Sequence, residues 1–260
     1  MAGARSEPQL PPIRSSRSAR LINAPWWLLI ILLVGALVIY SMLQEQRYVN
    51  ALTFLLRGVQ LTLILSIASY VIALVLGLIA GLGRVSRNVV FYTLATLYVE
   101  VVRGVPLLVI IVYVQFVVAP AIGANRNPAL SGIIALAIGY GAYLAEVYRA
   151  GIESIERGQM EAGRSLGMTY GQTMRRIILP QAIRRVLPPL GNDFIAILKD
   201  SSLVSAIAVE ELTQLGRLQA ARTFDQFRTL NAVAVLYLIL TLLLSLGVRM
   251  IERRTSGGRR

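Results

Sequence analysis

The chain consists of long apolar blocks, and its charges lie mostly in the segments between them. The first block, 25–43, holds 19 residues without a charge, and several comparable blocks follow. About 20 apolar residues span the hydrocarbon core of a bilayer as a helix, and backbone groups in lipid must be satisfied within the protein. The pattern predicts an all-α polytopic membrane protein with about six transmembrane helices, at 25–43, 55–82, 89–118, 129–150, 192–209 and 230–249.

Composition supports this prediction. The mean hydropathy is +0.65, and charged residues make up 15% of the chain, against roughly 25% in a typical soluble domain. Residues 1–24 are rich in Arg, Ser and Pro and are predicted to be a disordered tail. We interpret 25–43 as a retained span rather than a signal peptide, because the charged segment after it offers no small-residue cleavage site.

The distribution of arginine predicts the orientation. With the N-terminus inside, eighteen arginines fall on the inner side and six on the outer side. The positive-inside rule then places both termini, including the tail 254–260, and the loop 151–191 in the cytoplasm. The net charge of +13 is thus explained by orientation signals rather than by nucleic-acid binding.

The sequence holds neither cysteine nor histidine. This excludes disulfides, thiol nucleophiles, histidine-based triads and metal sites with Cys or His ligands. It also lacks a phosphate-binding P-loop pattern. No catalytic residue and no metal ligand is therefore predicted.

The loop 151–191 carries several local signals. Glu161 is expected near the N-terminal end of a short helix, where the helix dipole favours an acid. Gly167 is expected to end that helix, and Thr169 with Gln172 fits a capping box that begins a second one. Pro180 is expected to discourage helix at Leu179 and to open a third. Together these signals predict a compact cytoplasmic structure suited to docking a partner.

The same loop resembles the EAA motif of ABC importer permeases, which is Glu-Ala-Ala, three residues, Gly, nine residues, then Ile-x-Leu-Pro. The matching residues here are Glu161, Ala162, Gly163, Gly167, Ile177, Leu179 and Pro180. Gly163 replaces the second alanine and is expected to soften the first helix, since glycine costs up to about 1 kcal/mol there. The resemblance covers about 50–253 and is closest to the polar amino-acid branch, the histidine/glutamine-type permeases, in the stretches 58–63, 98–108, 142–151 and 198–203.

The resemblance implies a type I ABC importer permease fold, with 50–253 as the transporter domain and 25–43 as an added helix. It implies a bacterial cytoplasmic membrane protein that forms one half of a pair, with an identical or a paralogous partner. A cytoplasmic ATPase dimer would dock on the loop 151–191 through the seven EAA-type residues, and an extracytoplasmic binding protein would deliver a polar amino acid. ATP and Mg²⁺ would be used by the ATPase, so this chain would bind no cofactor.

Three charged residues inside predicted spans are candidates for the solute pathway: Glu100, Arg103 and Glu146. Charges in lipid are costly and usually face a pathway or one another. Arg103 would attract an α-carboxylate, and Glu100 or Glu146 an ammonium group. The alternative is structural pairing, Glu100 with Arg103 and Glu146 with Arg149. Gly104 and Pro106 are expected to break the helix beside Arg103.

Other functions stay open at this point. The same machinery could carry another small solute, such as an opine, an osmolyte or an organic ion. An ion-coupled secondary transporter is disfavoured because no internal repeat is detected, and a membrane enzyme because no catalytic constellation assembles.

Overall fold

The computed structural model describes residues 26–123 and 127–256, and their regular structure is helical. The predicted tail 1–24 lies outside the described residues, as do positions 257–260. Two compact units are distinguished, one ending at Gln46 and one beginning at Arg47. The first contains helix α1, Trp26–Leu43, which agrees with the predicted span 25–43.

The second unit holds the remaining helices. Those longer than a single turn of three residues, Ala119–Ala121, are α2 (Gln46–Arg84), α3 (Val89–Gly104), α4 (Leu107–Tyr113), α5 (Pro128–Glu153), α6 (Arg157–Ser165), α7 (Tyr170–Thr173), α8 (Leu179–Asp200), α9 (Leu212–Thr223) and α10 (Gln226–Ser256). A 3₁₀ helix, Ser201–Ile207, separates α8 from α9. By length and apolarity, α2, α5 and α10 can each cross a membrane. The bent pair of α3 and the helical run Leu107–Ala121, which begins with α4, makes a fourth crossing if it is counted as one span.

The remaining predicted spans take other forms. The segment 192–209 is not a helix of its own, because α8 begins at Leu179 and passes into the 3₁₀ helix at Ser201. The segment 89–118 is bent by 102° between Gly104 and Leu107. Val105 is extended, as a residue before proline prefers to be. The predicted break at Gly104 and Pro106 is therefore confirmed.

Helix α5 lies at the centre of the second unit. In its apolar window 61% of the residues are buried, against 11% in α10. Close approach to α2 depends on small residues, because a β-carbon at Gly77 would lie 2.6 Å from Cβ of Leu144 and one at Gly81 would lie 2.8 Å from Cβ of Tyr148. Small residues play this part in membrane helix pairs, where apolar burial alone gives no preference for protein over lipid.

Two prolines are accommodated by π-helical turns. Val114–Val118 precedes Pro120 and Met174–Ile178 precedes Pro180, so each proline stands two residues after the turn. Proline has no N–H to donate and its ring collides with the carbonyl four residues earlier. The extra residue of a π turn relieves that collision while the helix continues. The expectation that Pro180 discourages helix at Leu179 was therefore wrong, because Leu179 is helical, with φ −59° and ψ −43°. Pro180 does stand in the first turn of α8, as expected.

The first turn of α9 is fixed by a buried glutamate, Glu211. The Glu211 carboxylate accepts backbone N–H bonds from Thr213 at 2.8 Å and Gln214 at 2.9 Å, and a hydroxyl bond from Tyr237 at 2.8 Å. Its side chain is fully buried. These donors satisfy the free N–H groups at the start of α9 and tie α9 to α10.

Candidate functional site: the coupling segment and the charge cluster

The segment Arg157–Leu179, called the coupling segment below, is a short helix, a sharp turn and a second helical run. Helix α6 ends as predicted at Gly167, which has φ +77°. The Met168 N–H bonds the Gly163 carbonyl at 3.1 Å and the Gly167 N–H bonds the Arg164 carbonyl at 3.0 Å. This pair of bonds is a Schellman motif, which requires a left-handed residue at the position of Gly167.

The second helical run begins at the predicted capping box. The Gln172 N–H donates to Thr169 Oγ1 at 3.3 Å, and the Thr169 N–H donates to Gln172 Oε1 at 2.9 Å. Both donors would otherwise lack helical partners. The Gly167 stop and the Thr169 start therefore fix a bend of defined shape between α6 and α7.

Gly163 has a role that the sequence did not reveal. A β-carbon at this position would lie 2.5 Å from Cγ2 and 2.8 Å from Oγ1 of Thr173, which is fully buried. Gly163 lets α6 lie directly against α7, so its function is close packing rather than the softening of a helix. The sequence alone could not distinguish close packing from softening of α6, because the two roles differ only in the contact with Thr173, ten positions along the chain.

The predicted coupling residues divide between an exposed and a buried set. Exposed are Glu161, Ala162, Gly167, Leu179 and Pro180, whereas Gly163 is buried and Ile177 is half-buried. Ile177 packs against the apolar cluster of Ile155, Ile178 and Ala182 that supports the coupling segment. Leu166, which was not singled out, presents an apolar side chain that is 81% exposed at the tip.

The position of Glu161 differs from the expectation. Helix α6 starts at Arg157, with Glu156 as its N-cap, so Glu161 lies in the middle of the helix rather than in its first turn. The dipole argument for Glu161 was therefore wrong. Its exposed carboxylate is instead free to face a partner, beside Ala162 and Leu166.

A second feature, the charge cluster, joins α2, α3 and α5. Its members are Arg84, Glu100, Arg103, Glu146, Arg149 and Glu153. Glu146 is at its centre and faces three arginines: Arg84 pairs with one carboxylate oxygen, while Arg149 at 2.8 Å and Arg103 at 3.9 Å approach the other.

The partners of Glu100 and Arg103 differ from those expected. Within the described residues, Glu100 pairs with Arg84 at 3.4 Å and Arg103 with Glu146, so the predicted pair of Glu100 and Arg103 does not form. The predicted pair of Glu146 and Arg149 is confirmed. Sequence reasoning missed Arg84, which lies 62 positions from Glu146, because nothing local indicates that α2 and α5 end together.

Glu100 and Arg103 are held more loosely than Glu146. Their side chains are 64% and 41% exposed, against 20% for Glu146. The Arg103 guanidinium lies over the Tyr143 ring, 5.6 Å from its centroid. A cation over an aromatic face remains available to a further anion.

Small residues on α5 allow close packing of neighbouring side chains. The positions are Gly132, Gly139, Gly141 and Ala142, which are all buried or face a neighbouring side chain directly.

Among the described residues, no three acidic side chains converge in the way a metal site requires.

Comparison with known proteins identifies the family that shares this architecture. Residues 73–257 match the family described as "Binding-protein-dependent transport system inner membrane component". The chain is 40% identical over 205 residues to "Glutamine transport system permease protein GlnP" of Escherichia coli (strain K12), covering 78% of this chain and 94% of the relative. It is also 40% identical over 198 residues to "L-cystine transport system permease protein TcyB" of Bacillus subtilis (strain 168), covering 76% and 84%.

Solved structures agree with the sequence comparison. The fold is similar to "Crystal structure of an amino acid ABC transporter with histidines", with a TM-score of 0.75, 37% identity, and coverage of 79% of this chain and 96% of that chain. An inward-facing form of the MetNI methionine ABC transporter matches with a TM-score of 0.68, 25% identity, and coverage of 78% and 96%. The chain belongs to the binding-protein-dependent transport system inner membrane component family, the membrane-spanning permeases of ABC importers.

Proposed function

We propose that the chain is the translocation subunit of an ATP-driven importer for a polar amino acid in the bacterial cytoplasmic membrane. The observation that carries the proposal is the coupling segment, in which Gly167 and Thr169 fix a bend, Leu166 is exposed at this bend, and Glu161 and Ala162 are exposed on α6. A rigid exposed tip can transmit the motion of a partner to the helix that continues from it. Here α8 continues from the coupling segment into the helical bundle.

The partner at this tip would be a dimer of cytoplasmic ATPases, which would bind and hydrolyse ATP with Mg²⁺. The proposed contacts are Glu161, Ala162, Gly167, Leu179 and Pro180, whereas Gly163 and Ile177 would hold the segment in shape. An extracytoplasmic binding protein would deliver the solute, and a second permease chain, identical or paralogous, would complete the pathway. Both termini would lie in the cytoplasm, as the arginine distribution predicts.

The docking proposal is tested with two variants in the coupling segment. Gly167→Pro is incompatible with φ +77°, and Glu161→Lys reverses the charge on the exposed side of α6. Both variants are expected to accumulate in the membrane and to lose most of the ATPase in a pull-down. Glu156→Lys, an equivalent charge reversal at the exposed N-cap of α6, is the control and should retain it. Retention of the ATPase by all three variants, with undiminished uptake, refutes the assignment.

Polar amino acids are favoured over other solutes because the relatives named above include permeases for glutamine and L-cystine. Screening the cognate binding protein by thermal shift against the amino acids, an opine, an osmolyte and an organic cation tests this class. Stabilisation by one or more polar amino acids is expected. Stabilisation only by another class assigns the importer to that class.

Within the chain, Arg103 and Glu100 are proposed to face the solute, whereas Glu146 is proposed to position Arg103. What supports this division is exposure: Arg103 and Glu100 are accessible beside the break at Gly104, while Glu146 is enclosed by three arginines. Arg103→Gln leaves Glu146 with Arg84 and Arg149, so we expect normal membrane abundance and weak uptake. Uptake within twofold of wild type at matched abundance, about 0.4 kcal/mol, would make Arg103 a structural residue.

A further inference from the structure

A cavity of about 400 Å³ lies between α2 and α9, beside Glu210, which precedes α9. Three charged side chains line it, Arg57, Glu210 and Arg222, and its apolar wall includes Leu61, Leu215 and Leu218. All three charged residues are exposed. Within residues 26–123 and 127–256, their side chains form neither an ion pair nor a side-chain hydrogen bond with one another or with a neighbour.

The cavity and the coupling segment lie at opposite ends of the bundle. Helix α2 is one continuous helix, and Arg84 at its C-terminal end contacts Glu146, near the end of α5 that leads into the coupling segment. Arg87, just after α2, lies 5.3 Å from the Tyr170 ring of α7. Arg57 precedes Arg84 by 27 residues on α2, or ~40 Å at 1.5 Å per residue. That distance exceeds the ~30 Å hydrocarbon core, so the cavity opens on the other face of the membrane.

The charged side chains that line the cavity indicate which chemical group it would bind. Two guanidinium groups and one carboxylate leave an excess of one positive charge, which attracts a single acidic group. Guanidinium presents paired N–H donors that match a carboxylate in two parallel hydrogen bonds. The apolar wall suits the methylene stem of an aspartate or glutamate side chain.

An exposed aromatic side chain lies next to the cavity in sequence. Phe224, two residues after Arg222, is 93% exposed and has φ +55°, a left-handed conformation that non-glycine residues seldom adopt. The backbone at this turn therefore holds a large apolar group away from the protein. Aromatic residues and arginine are enriched at the centres of protein interfaces.

We propose that this cavity, lined by Arg57, Glu210 and Arg222, receives an acidic side chain of the extracytoplasmic binding protein. The inference rests on the proposed function, which supplies a protein partner on that membrane face. A protein fits better than the free solute, because the three charged groups stand exposed at the mouth of the cavity rather than enclosing a ligand.

The experiment measures binding of the cognate binding protein to the complete transporter in nanodiscs. Arg57→Glu and Arg222→Glu are expected to slow association by about tenfold or more at low salt, since charge steering acts mainly on association. Arg217→Glu is the matched control: Arg217 is exposed on α9 but does not line the cavity, and its variant should bind within twofold of wild type. Arg57→Gln and Arg222→Gln should bind with a shallower salt dependence, and they replace the charge reversals if those reduce membrane abundance.

Each other outcome overturns the proposal. Equal weakening by all three charge reversals shows a general field rather than a site, and no weakening by Arg57→Glu and Arg222→Glu shows no contact. Lower uptake with unchanged binding-protein affinity assigns the cavity to the solute. If the binding protein neither binds wild type nor stimulates its ATPase, the proposed function itself fails, and the two failures are thereby distinguished.

Discussion

The coupling segment and the charge cluster show two ways in which this chain positions the side chains of its candidate functional sites. The coupling segment is specified locally, since Gly167 stops one helix and the Thr169–Gln172 capping box starts the next. The charge cluster is specified at long range, with Glu146 on α5 held by Arg84 of α2 and Arg103 of α3. A local element can move as a unit under a partner, whereas the cluster links three helices that must stay in register.

The largest effect is expected from removing the centre of the charge cluster. Glu146→Gln removes the carboxylate that three arginines share. Arg84 keeps Glu100 and Arg149 keeps Glu153, whereas Arg103 loses its carboxylate partner. Loss of several charge-assisted hydrogen bonds in such a cluster costs about 2–3 kcal/mol. We expect a severe loss of membrane abundance and of thermal stability in detergent. Glu153→Gln is the control, because Glu153 is 53% exposed and its arginine keeps Glu146 as a partner. Equal stability of the two variants would contradict the central role of Glu146.

A smaller effect is expected at Gly163, where the direction of the stability change distinguishes two explanations. If glycine merely softened α6, Gly163→Ala would stabilise the protein by up to about 1 kcal/mol. The close contact with Thr173 predicts the opposite, a destabilisation of about 1–2 kcal/mol from overpacking. The melting temperature of the purified permease distinguishes these outcomes.

Two further variants control the Gly163 experiment. Gly158→Ala lies in the same helix with open space around it, so it should be neutral or stabilising. Thr173→Ala combined with Gly163→Ala should recover part of the loss, because the truncated side chain no longer occupies the space. If the double variant is simply additive, the two residues are not coupled.

The smallest effect is expected at the capping box. Thr169→Ala removes one cap, which typically costs about 1 kcal/mol, and should lower the affinity for the ATPase while membrane abundance stays normal. Thr223→Ala, an exposed threonine whose hydroxyl bonds only the Gln219 carbonyl, should leave both quantities unchanged. A Thr169→Ala variant that binds the ATPase like wild type would show that the bend does not need its cap.

Features that are specified locally could be predicted from the sequence, whereas features that depend on long-range packing could not. The bend at Gly104–Pro106, the stop at Gly167 and the capping box each depend on residues within four positions of one another, and all are confirmed. The partners of Arg103 and Glu100, and the contact of Gly163 with Thr173, depend on how helices pack, so they could not be predicted from one sequence. Pro180 misled because the π turn before it removed the collision that normally ends a helix.

The most direct test of the account is uptake into proteoliposomes that contain this permease, its second half and the ATPase, with the binding protein outside. The account predicts accumulation of the amino acid that stabilises the binding protein, only when ATP and Mg²⁺ are enclosed on the side of the coupling segment. It also predicts that Gly167→Pro abolishes this accumulation at equal permease content. Accumulation driven by an ion gradient without ATP, or undiminished in the Gly167→Pro variant, would contradict it.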